Sequence, residues 1–235
     1  MEKYDYIIIG SGASGAAVAE KISSDYEVLI LEKGEYLALN EAYKGYFRAS
    51  SCKDFGEHGK IEILSGMGVG GTSLLAIANG VRAQEKELKK LGIDIEKELD
   101  EVERDFEVSP TPENMLGGRT TLFIEKSKEL GYEPKIMPKM IDFKKCKKCG
   151  KCNMGCQFQA KKTSLYYIEK AISKGAELKT NFKALKINKR NNYFTVQGVE
   201  KENTSSISAK NVILSAGALD TPKILNNSGI MTPKK

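Results

Sequence analysis

The sequence predicts an α/β fold with a parallel β-sheet, and three observations support this prediction. Residues 6–9 (YIII) form a hydrophobic run typical of a buried parallel strand. A glycine-rich turn and an apolar helical stretch follow directly, before a second hydrophobic run at residues 28–31. The last third of the chain has short alternating segments and then a buried run at residues 211–214, which predicts an antiparallel insert followed by a returning parallel strand.

The turn after the first strand has the spacing G-x-G-x-x-G, and its three glycines have separate roles. Gly10 permits the tight turn, Gly12 lets the backbone approach a pyrophosphate, and Gly15 allows close packing of helix on strand. The pyrophosphate would lie at the positive N-terminus of the helix, and Glu32 would accept a hydrogen bond from a ribose hydroxyl. This context predicts a Rossmann-like domain that binds a dinucleotide. The residues expected to hold it are Gly10, Gly12, Ala13, Ser14, Gly15, Glu32 and Lys33.

The composition is that of an ordinary globular protein. With 235 residues, 40% of them hydrophobic and 29% charged, the chain can bury a full core. No apolar run approaches the roughly 20 residues that a membrane span requires. Residues 1–3 lead straight into the first strand without a signal peptide. We therefore expect a cytoplasmic protein without a membrane span.

The middle of the chain contains a second glycine-rich element and several predicted helices. Residues 66–80 (GMGVGGTSLLAIANG) combine a glycine turn with an apolar segment. Helical periodicity covers residues 95–106, 120–130 and about 164–173, whereas residues 32–48 are expected to form a helix or a loop. The short strands of the predicted antiparallel meander cover residues 177–180, 184–187, 193–199 and 205–209.

Three further blocks of sequence are characteristic. Residues 69–75 (VGGTSLL) contain a G-G-[ST]-[ST] element, residues 175–187 contain a pair of strands, and residues 212–230 (VILSAGALDTPKILNNSGI) form a long signature. Together they resemble the glucose–methanol–choline (GMC) family of FAD oxidoreductases over nearly the whole chain. The resemblance implies that the dinucleotide is FAD rather than NAD. The further FAD-binding positions that it implies are Gly70, Gly71, Thr72, Ser73, Asn79, Ala184, Ala216 and Gly217.

The chain departs from the family pattern at several places. Ala76 stands where the family usually has asparagine, and Met231 stands where a glycine usually follows. The family's second half carries a substrate-binding sheet and the catalytic histidine, whereas the single histidine here, His58, does not match that position and is expected to be a solvated surface residue. We therefore expect residues 1–235 to form a single FAD-binding domain that lacks the substrate half. The catalytic residues are unknown. A second polypeptide is expected to complete the site for a small-molecule substrate, unless the chain is a truncated product.

Four of the five cysteines lie close together in the segment 144–162. Their spacing is C-x2-C-x2-C-x3-C, at Cys146, Cys149, Cys152 and Cys156. Bacterial ferredoxins use this spacing, so we predict a [4Fe–4S] cluster. The main alternative is zinc, although its two cysteine pairs are normally further apart, and unliganded thiols are a third. Cys52 is expected to be an incidental thiol, or else a cluster ligand from outside the segment. In membrane sugar dehydrogenases of the resembled family, a cluster near this region relays electrons from the flavin.

Part of the formal charge of +6 is concentrated around these cysteines. The lysines concerned are Lys144, Lys145, Lys147, Lys148, Lys151, Lys161 and Lys162. They are expected to form either a solvated loop or a docking face for an acidic electron carrier such as ferredoxin. Because aromatic residues do not alternate with them, we expect no nucleic-acid partner.

The sequence thus predicts a flavin and iron–sulfur electron-transfer subunit of an oxidoreductase that acts on CH–OH donors such as alcohols. Substrate would deliver hydride to the flavin, and electrons would leave singly through the cluster. Two other interpretations stay open. One is a structural or assembly subunit with a degenerate nucleotide fold, and the other is a zinc-stapled NAD(P)-dependent reductase.

Overall fold

The computed structural model describes residues 4–41, 50–51, 54–55, 61–62 and 65–230. The strands, in chain order, are β1 (Tyr4–Ile9), β2 (Val28–Leu31), β3 (Ser50–Ser51), β4 (Asp54–Phe55), β5 (Ile61–Glu62), β6 (Ser65–Gly66), β7 (Ser109–Pro110), β8 (Pro138–Lys139), β9 (Glu177–Lys179), β10 (Phe182–Lys189), β11 (Phe194–Glu200) and β12 (Asn203–Leu214). The helices are α1 (Ala13–Ile22), α2 (Glu85–Lys90), α3 (Glu96–Asp105), α4 (Gly118–Glu129), α5 (Leu165–Ser173) and α6 (Gly217–Asn227).

The central sheet has six strands in the order β10-β11-β12-β1-β2-β9. Strand β1 is parallel to both of its neighbours, so that Ile8 is in register with Ile213 on β12 and with Ile30 on β2. The carboxyl ends of these three strands therefore meet at one edge, where the glycine turn follows β1. Ligands of open α/β sheets bind at this edge. The predicted α/β, Rossmann-like fold is confirmed.

The antiparallel insert is also present, but three details of the prediction are wrong. The run at residues 211–214 is not buried, because Asn211 is exposed and the other three residues are only partly buried. Residues 205–209 and 211–214 belong to one strand, because β12 pairs antiparallel with β11 along its first part and parallel with β1 along its second. Strand β9 was expected in the meander and instead pairs parallel with β2. Helix α5 provides the crossover connection that such a parallel strand requires.

Alternate residues of β1 and β2 supply a core on each face of the sheet. Ile8 and Ile30 face one side, where they pack with residues of α1 and α5. Ile7 and Leu31 face the other, where they pack with Phe182 of β10 and residues of α6. A strand that is buried on both faces has a continuous run of hydrophobic residues. For this reason β1 and β2 could be predicted from the sequence.

The predicted helices at residues 95–106, 120–130 and 164–173 correspond to α3, α4 and α5. Helix α2 was not predicted, because its six residues are too few to show a period. Over residues 32–41, the described part of the segment expected to be helix or loop, the chain contains no helix. Among the described residues, no helix has the length and apolar character needed to cross a membrane.

Candidate functional site for a dinucleotide and a thiol-bound group

The turn after β1 requires glycine at two of its three motif positions. Gly10 has a φ of +100°, and a Cβ there would lie 2.4 Å from the carbonyl oxygen of Ser215. A Cβ on Gly15 would lie 2.0 Å from the carbonyl oxygen of Gly10. Both contacts are with backbone atoms, which cannot move aside easily. The turn is therefore held tightly between β1, α1 and the end of β12.

Gly12 differs from the other two glycines, because a Cβ there would meet no atom within 4 Å. It lies immediately before α1 without a side-chain capping bond, and Ala13 and Ser14 in the first turn are exposed. The first N–H groups of a helix have no intrahelical partner and carry the positive end of its dipole. This geometry suits an anionic group such as a pyrophosphate.

Glu32, directly after β2, is buried; it is hydrogen-bonded to the first glycine turn and, through Ser11, is linked to the second glycine-rich element. Its Oε2 accepts hydrogen bonds from the backbone N and the Oγ of Ser11, at 3.1 and 2.6 Å. Its Oε1 accepts one from the backbone N of Gly34 at 2.9 Å. The Ser11 Oγ in turn accepts from the backbone N of Gly70 at 3.2 Å. Because a carboxylate oxygen can accept two hydrogen bonds, Oε1 retains capacity for a ribose hydroxyl.

The second glycine-rich element packs directly against the first. Gly70 and Gly71 have φ angles of +95° and +54°, and Gly71 begins a 3₁₀ helix, Gly71–Leu74. A Cβ on Gly71 would lie 3.0 Å from the Cα of Gly12. Ser73 Oγ donates to the carbonyl of Gly70 at 2.7 Å and accepts from the backbone N of Ser164 at 3.0 Å. Its hydroxyl therefore holds the element in place. Thr72 is exposed, and its Oγ1 accepts a hydrogen bond from the backbone N of Gly66 at 3.3 Å.

The remaining predicted FAD-binding residues are spread over several elements. Ala216 is the N-cap of α6 and Gly217 is its first residue. The Oγ of the preceding Ser215 is hydrogen-bonded to the carbonyls of Ile9 and Gly10, both at 3.0 Å. Their position brings the start of α6 to the glycine turn. The other three are placed by their own partners: Lys33 pairs with Asp220 at 2.5 Å, Asn79 Oδ1 accepts from Lys139 Nζ at 2.6 Å, and Ala184 pairs with Gly198 within the sheet.

We predict that Glu32→Ala weakens FAD binding by about 1–3 kcal/mol, which corresponds to an increase in Kd of roughly fivefold to 150-fold. The substitution removes the acceptor proposed for the ribose and leaves the buried N–H groups of Ser11 and Gly34 without their partner. Isothermal titration of apo-protein with FAD measures the change, and Glu35→Ala, at an exposed position three residues away, is the control. An unchanged Kd for Glu32→Ala would contradict the assignment.

The four clustered cysteines line one cavity of about 600 Å³. All four are free thiols; Cys149 is exposed and the other three are partly buried. Phenylalanine rings and aliphatic side chains form much of the wall, and helix α4 forms one side. The charged side chains among the described lining residues are all lysines, namely Lys135, Lys139, Lys147, Lys148 and Lys161. The cavity is therefore positively charged, apolar and rich in thiols.

The thiols are not preassembled around an ion. Among the described residues there is no group of three or more His, Cys, Asp or Glu side chains that could hold a metal ion. Cys156 Sγ accepts a hydrogen bond from the backbone N of Ala160 at 3.3 Å, an interaction that also suits a thiolate. Burial raises the pKa of the Cys152 thiol, and the neighbouring ammonium groups of Lys139 and Lys161 oppose that rise.

Lys161 is a buried residue that the sequence did not distinguish from the other lysines. We expected a solvated or docking lysine, and this was wrong, because its side chain is almost completely buried. Its Nζ donates to the carbonyls of Leu74, Ala76 and Cys152 at 2.6, 2.9 and 2.8 Å. Burial lowers the pKa of Lys161 to about 8, and the nearby thiols of Cys152 and Cys156 act in the opposite direction. The following Lys162 instead pairs with Glu107 at 2.9 Å.

Cys52 and His58 lie outside the described residues, so their predicted roles stay predictions.

The parallel sheet, the glycine turn and the acidic residue after β2 define a dinucleotide-binding protein of the Rossmann-like class. The chain belongs to the GMC oxidoreductase family, whose profile matches residues 4–235. This membership supports FAD as the cofactor.

Relatives with curated sequences and solved structures are consistent with this assignment. An uncharacterised protein of Methanocaldococcus jannaschii is 32% identical over 222 residues, which cover 94% of this chain and 51% of the relative. A long-chain-alcohol oxidase of Arabidopsis thaliana is 24% identical, over 97% of this chain and 34% of its own length. Pyridoxine 4-oxidase from Mesorbium loti shares the fold, with a TM-score of 0.73 and 16% identity, over 96% of this chain and 52% of that one. The chain thus spans about half, or less, of these relatives.

Proposed function

We propose that the chain is an FAD-binding and iron–sulfur electron-transfer subunit of an oxidoreductase that acts on CH–OH donors. The observation that carries this proposal is the position of the cysteine cavity. Its four thiols surround a positively charged space, and the buried Lys161 connects that space to the second glycine-rich element. A thiol-bound group and a dinucleotide would therefore be held by adjoining segments of one chain.

The FAD part of the proposal rests on the two glycine-rich elements and Glu32. FAD supplies the hydride-accepting chemistry when bound. The chain would hold its pyrophosphate at the start of α1, where Gly12 leaves open space, and its ribose at Glu32. The alcohol-type donor is proposed by analogy with the long-chain-alcohol oxidase of Arabidopsis thaliana.

The cluster part of the proposal rests on the chemistry of the cavity. A [4Fe–4S] cluster supplies one-electron transfer when bound, and with four thiolates it is a net anion. The described lining offers four thiols and several ammonium groups, with no carboxylate among those residues. Each thiolate of such a cluster binds a different iron, so the thiols need not converge on one point. The short spacing of the array along the chain favours such a cluster over zinc, whose two cysteine pairs are normally further apart.

The exposed lysines of the cysteine segment support docking of an acidic electron carrier. Lys144, Lys147 and Lys151 are exposed, and residues 143–162 contain no acidic residue to neutralise them. Opposite charge accelerates encounter and makes it sensitive to salt.

We predict that the double change Lys147→Glu and Lys151→Glu slows electron transfer to a bacterial ferredoxin by at least about tenfold at low salt. Stopped-flow absorbance measures the rate. The matched control reverses two exposed lysines elsewhere, Lys86 on α2 and Lys97 on α3, and should leave the rate unchanged. Equal rates in both double variants would contradict a docking role for the segment, provided that both retain iron.

We also propose that a second polypeptide supplies the substrate-binding half and the catalytic base. The support is the resemblance to a family whose catalytic histidine lies in the second half of its members, of which this chain spans about half the length or less. Copurification from the source cells, followed by mass spectrometry and alcohol-dependent flavin reduction, tests it. Alcohol-dependent reduction by this chain alone would refute the need for a partner.

The experiment that tests the whole proposal is anaerobic purification followed by measurement of flavin, iron, sulfide and zinc on one sample. We expect about one flavin and about four iron per chain, with a broad absorbance shoulder near 400 nm. About one zinc without iron would favour the zinc-stapled reductase. Flavin-free and metal-free protein would favour a structural subunit.

A further inference from the structure

Lys161 is bound in a way that is unusual for a lysine. Its Nζ donates hydrogen bonds to three backbone carbonyl oxygens, those of Leu74, Ala76 and Cys152, at N···O distances of 2.6–2.9 Å. The carbonyl of Ser73 lies further away, at 3.4 Å. Lysine side chains are rarely buried without a charged partner.

The positive charge of Lys161 has no carboxylate partner among the described residues. Carbonyl groups satisfy its donors but do not neutralise its charge, and an uncompensated buried charge is costly. Cys152 and Cys156, two of the expected cluster ligands, line the same cavity as Lys161. A negatively charged group bound by these cysteines would therefore compensate the buried charge of Lys161.

The carbonyls that bind Lys161 come from two different parts of the site. Leu74 ends the 3₁₀ helix that starts at Gly71, and Gly71 approaches Gly12 of the first glycine turn. Cys152 is the third cysteine of the C-x2-C-x2-C-x3-C array. A single ammonium group thus joins the segment expected to carry the cluster to the segment expected to carry the flavin.

We propose that Lys161 is a positioning residue with two roles: it fixes the cysteine segment to the second glycine-rich element, and it is the internal counter-charge of the thiolate-bound cluster. This inference rests on the proposed function. A buried positive charge next to the cluster favours its more negative, reduced form and so raises its reduction potential. The carbonyl contacts keep the two cofactor-binding segments in a fixed relation.

Two substitutions separate these roles, with a neighbouring lysine as control. Lys161→Met removes the charge and all three hydrogen bonds, whereas Lys161→Gln removes the charge but keeps an amide that can donate. Lys162→Met changes the adjacent lysine, which pairs with the exposed Glu107 instead. All proteins are purified anaerobically, and iron content, the potential of the cluster and the Kd for FAD are measured on each.

We expect both Lys161 variants to shift the cluster potential to more negative values, and Lys162→Met to match the wild type. The Kd for FAD should rise by about tenfold in Lys161→Met and by less in Lys161→Gln, because hydrogen bonds from a charged donor are lost in the first and partly replaced in the second. Should Lys161→Met fail to fold, the potential of Lys161→Gln decides the counter-charge role.

The results also distinguish this inference from the proposed function. Wild-type protein without iron refutes the proposed function. Iron-loaded wild type whose potential and FAD affinity are unchanged in both Lys161 variants refutes the role of Lys161 alone.

Discussion

Gly15→Ala is expected to abolish FAD retention and to lower the free energy of unfolding by about 3 kcal/mol. The added methyl carbon would lie 2.0 Å from the carbonyl oxygen of Gly10 and 2.6 Å from the Oγ of Ser215. The first of these is a backbone atom in a turn that is itself held against Ser215. Helix α1 must move away from β1 to remove this steric clash. The movement would disturb the site expected to bind the pyrophosphate. Urea unfolding and the flavin content of purified protein measure the two effects.

Gly12→Ala is the matched control for this prediction. A methyl group there meets nothing within 4 Å, and the φ of −66° is accessible to alanine. Stability should therefore change by less than about 0.5 kcal/mol. FAD affinity should still fall, because the methyl group occupies the space through which the pyrophosphate approaches the backbone. Equal stability of Gly15→Ala and wild type would contradict the steric account, and unchanged FAD binding in Gly12→Ala would contradict the assigned phosphate position.

Cys149→Ser is expected to reduce bound iron from about four per chain to well below one, while flavin stays bound. Serine oxygen is a much poorer ligand for iron in a cluster than thiolate. Cys149 is the exposed cysteine of the four, so the substitution leaves the buried packing of the cavity wall largely intact. Iron and flavin analysis of anaerobically purified protein measures both effects.

Cys52→Ser provides the comparison for Cys149→Ser. If all four ligands belong to the C-x2-C-x2-C-x3-C array, this change leaves the iron content at the wild-type value. Loss of iron in Cys52→Ser would indicate a ligand from outside the array. Unchanged iron in Cys149→Ser would show that the ligand assignment is wrong.

The sequence was most informative where local chemistry determines structure. Strands β1 and β2, the glycine turn and Glu32 could be predicted because each depends on near neighbours in the chain. The resemblance to the GMC family also made it possible to predict the second glycine-rich element.

Features that depend on distant contacts were not predictable from sequence patterns. The sequence did not reveal that β9 joins β2 rather than the meander, because three residues carry no register information. The sequence pattern also did not distinguish Lys161 from the exposed lysines around it. Its burial depends on carbonyls of Leu74 and Ala76, more than eighty residues earlier in the chain.

The central claim is that one chain holds FAD and a [4Fe–4S] cluster in adjoining segments. Low-temperature electron paramagnetic resonance of anaerobic, dithionite-reduced protein tests it most directly, with Cys149→Ser measured in parallel. We predict an iron–sulfur signal that integrates to about one spin per chain in the wild type and disappears in the variant, with flavin present in both. Fully reduced flavin without any iron–sulfur signal in the wild type would contradict the account.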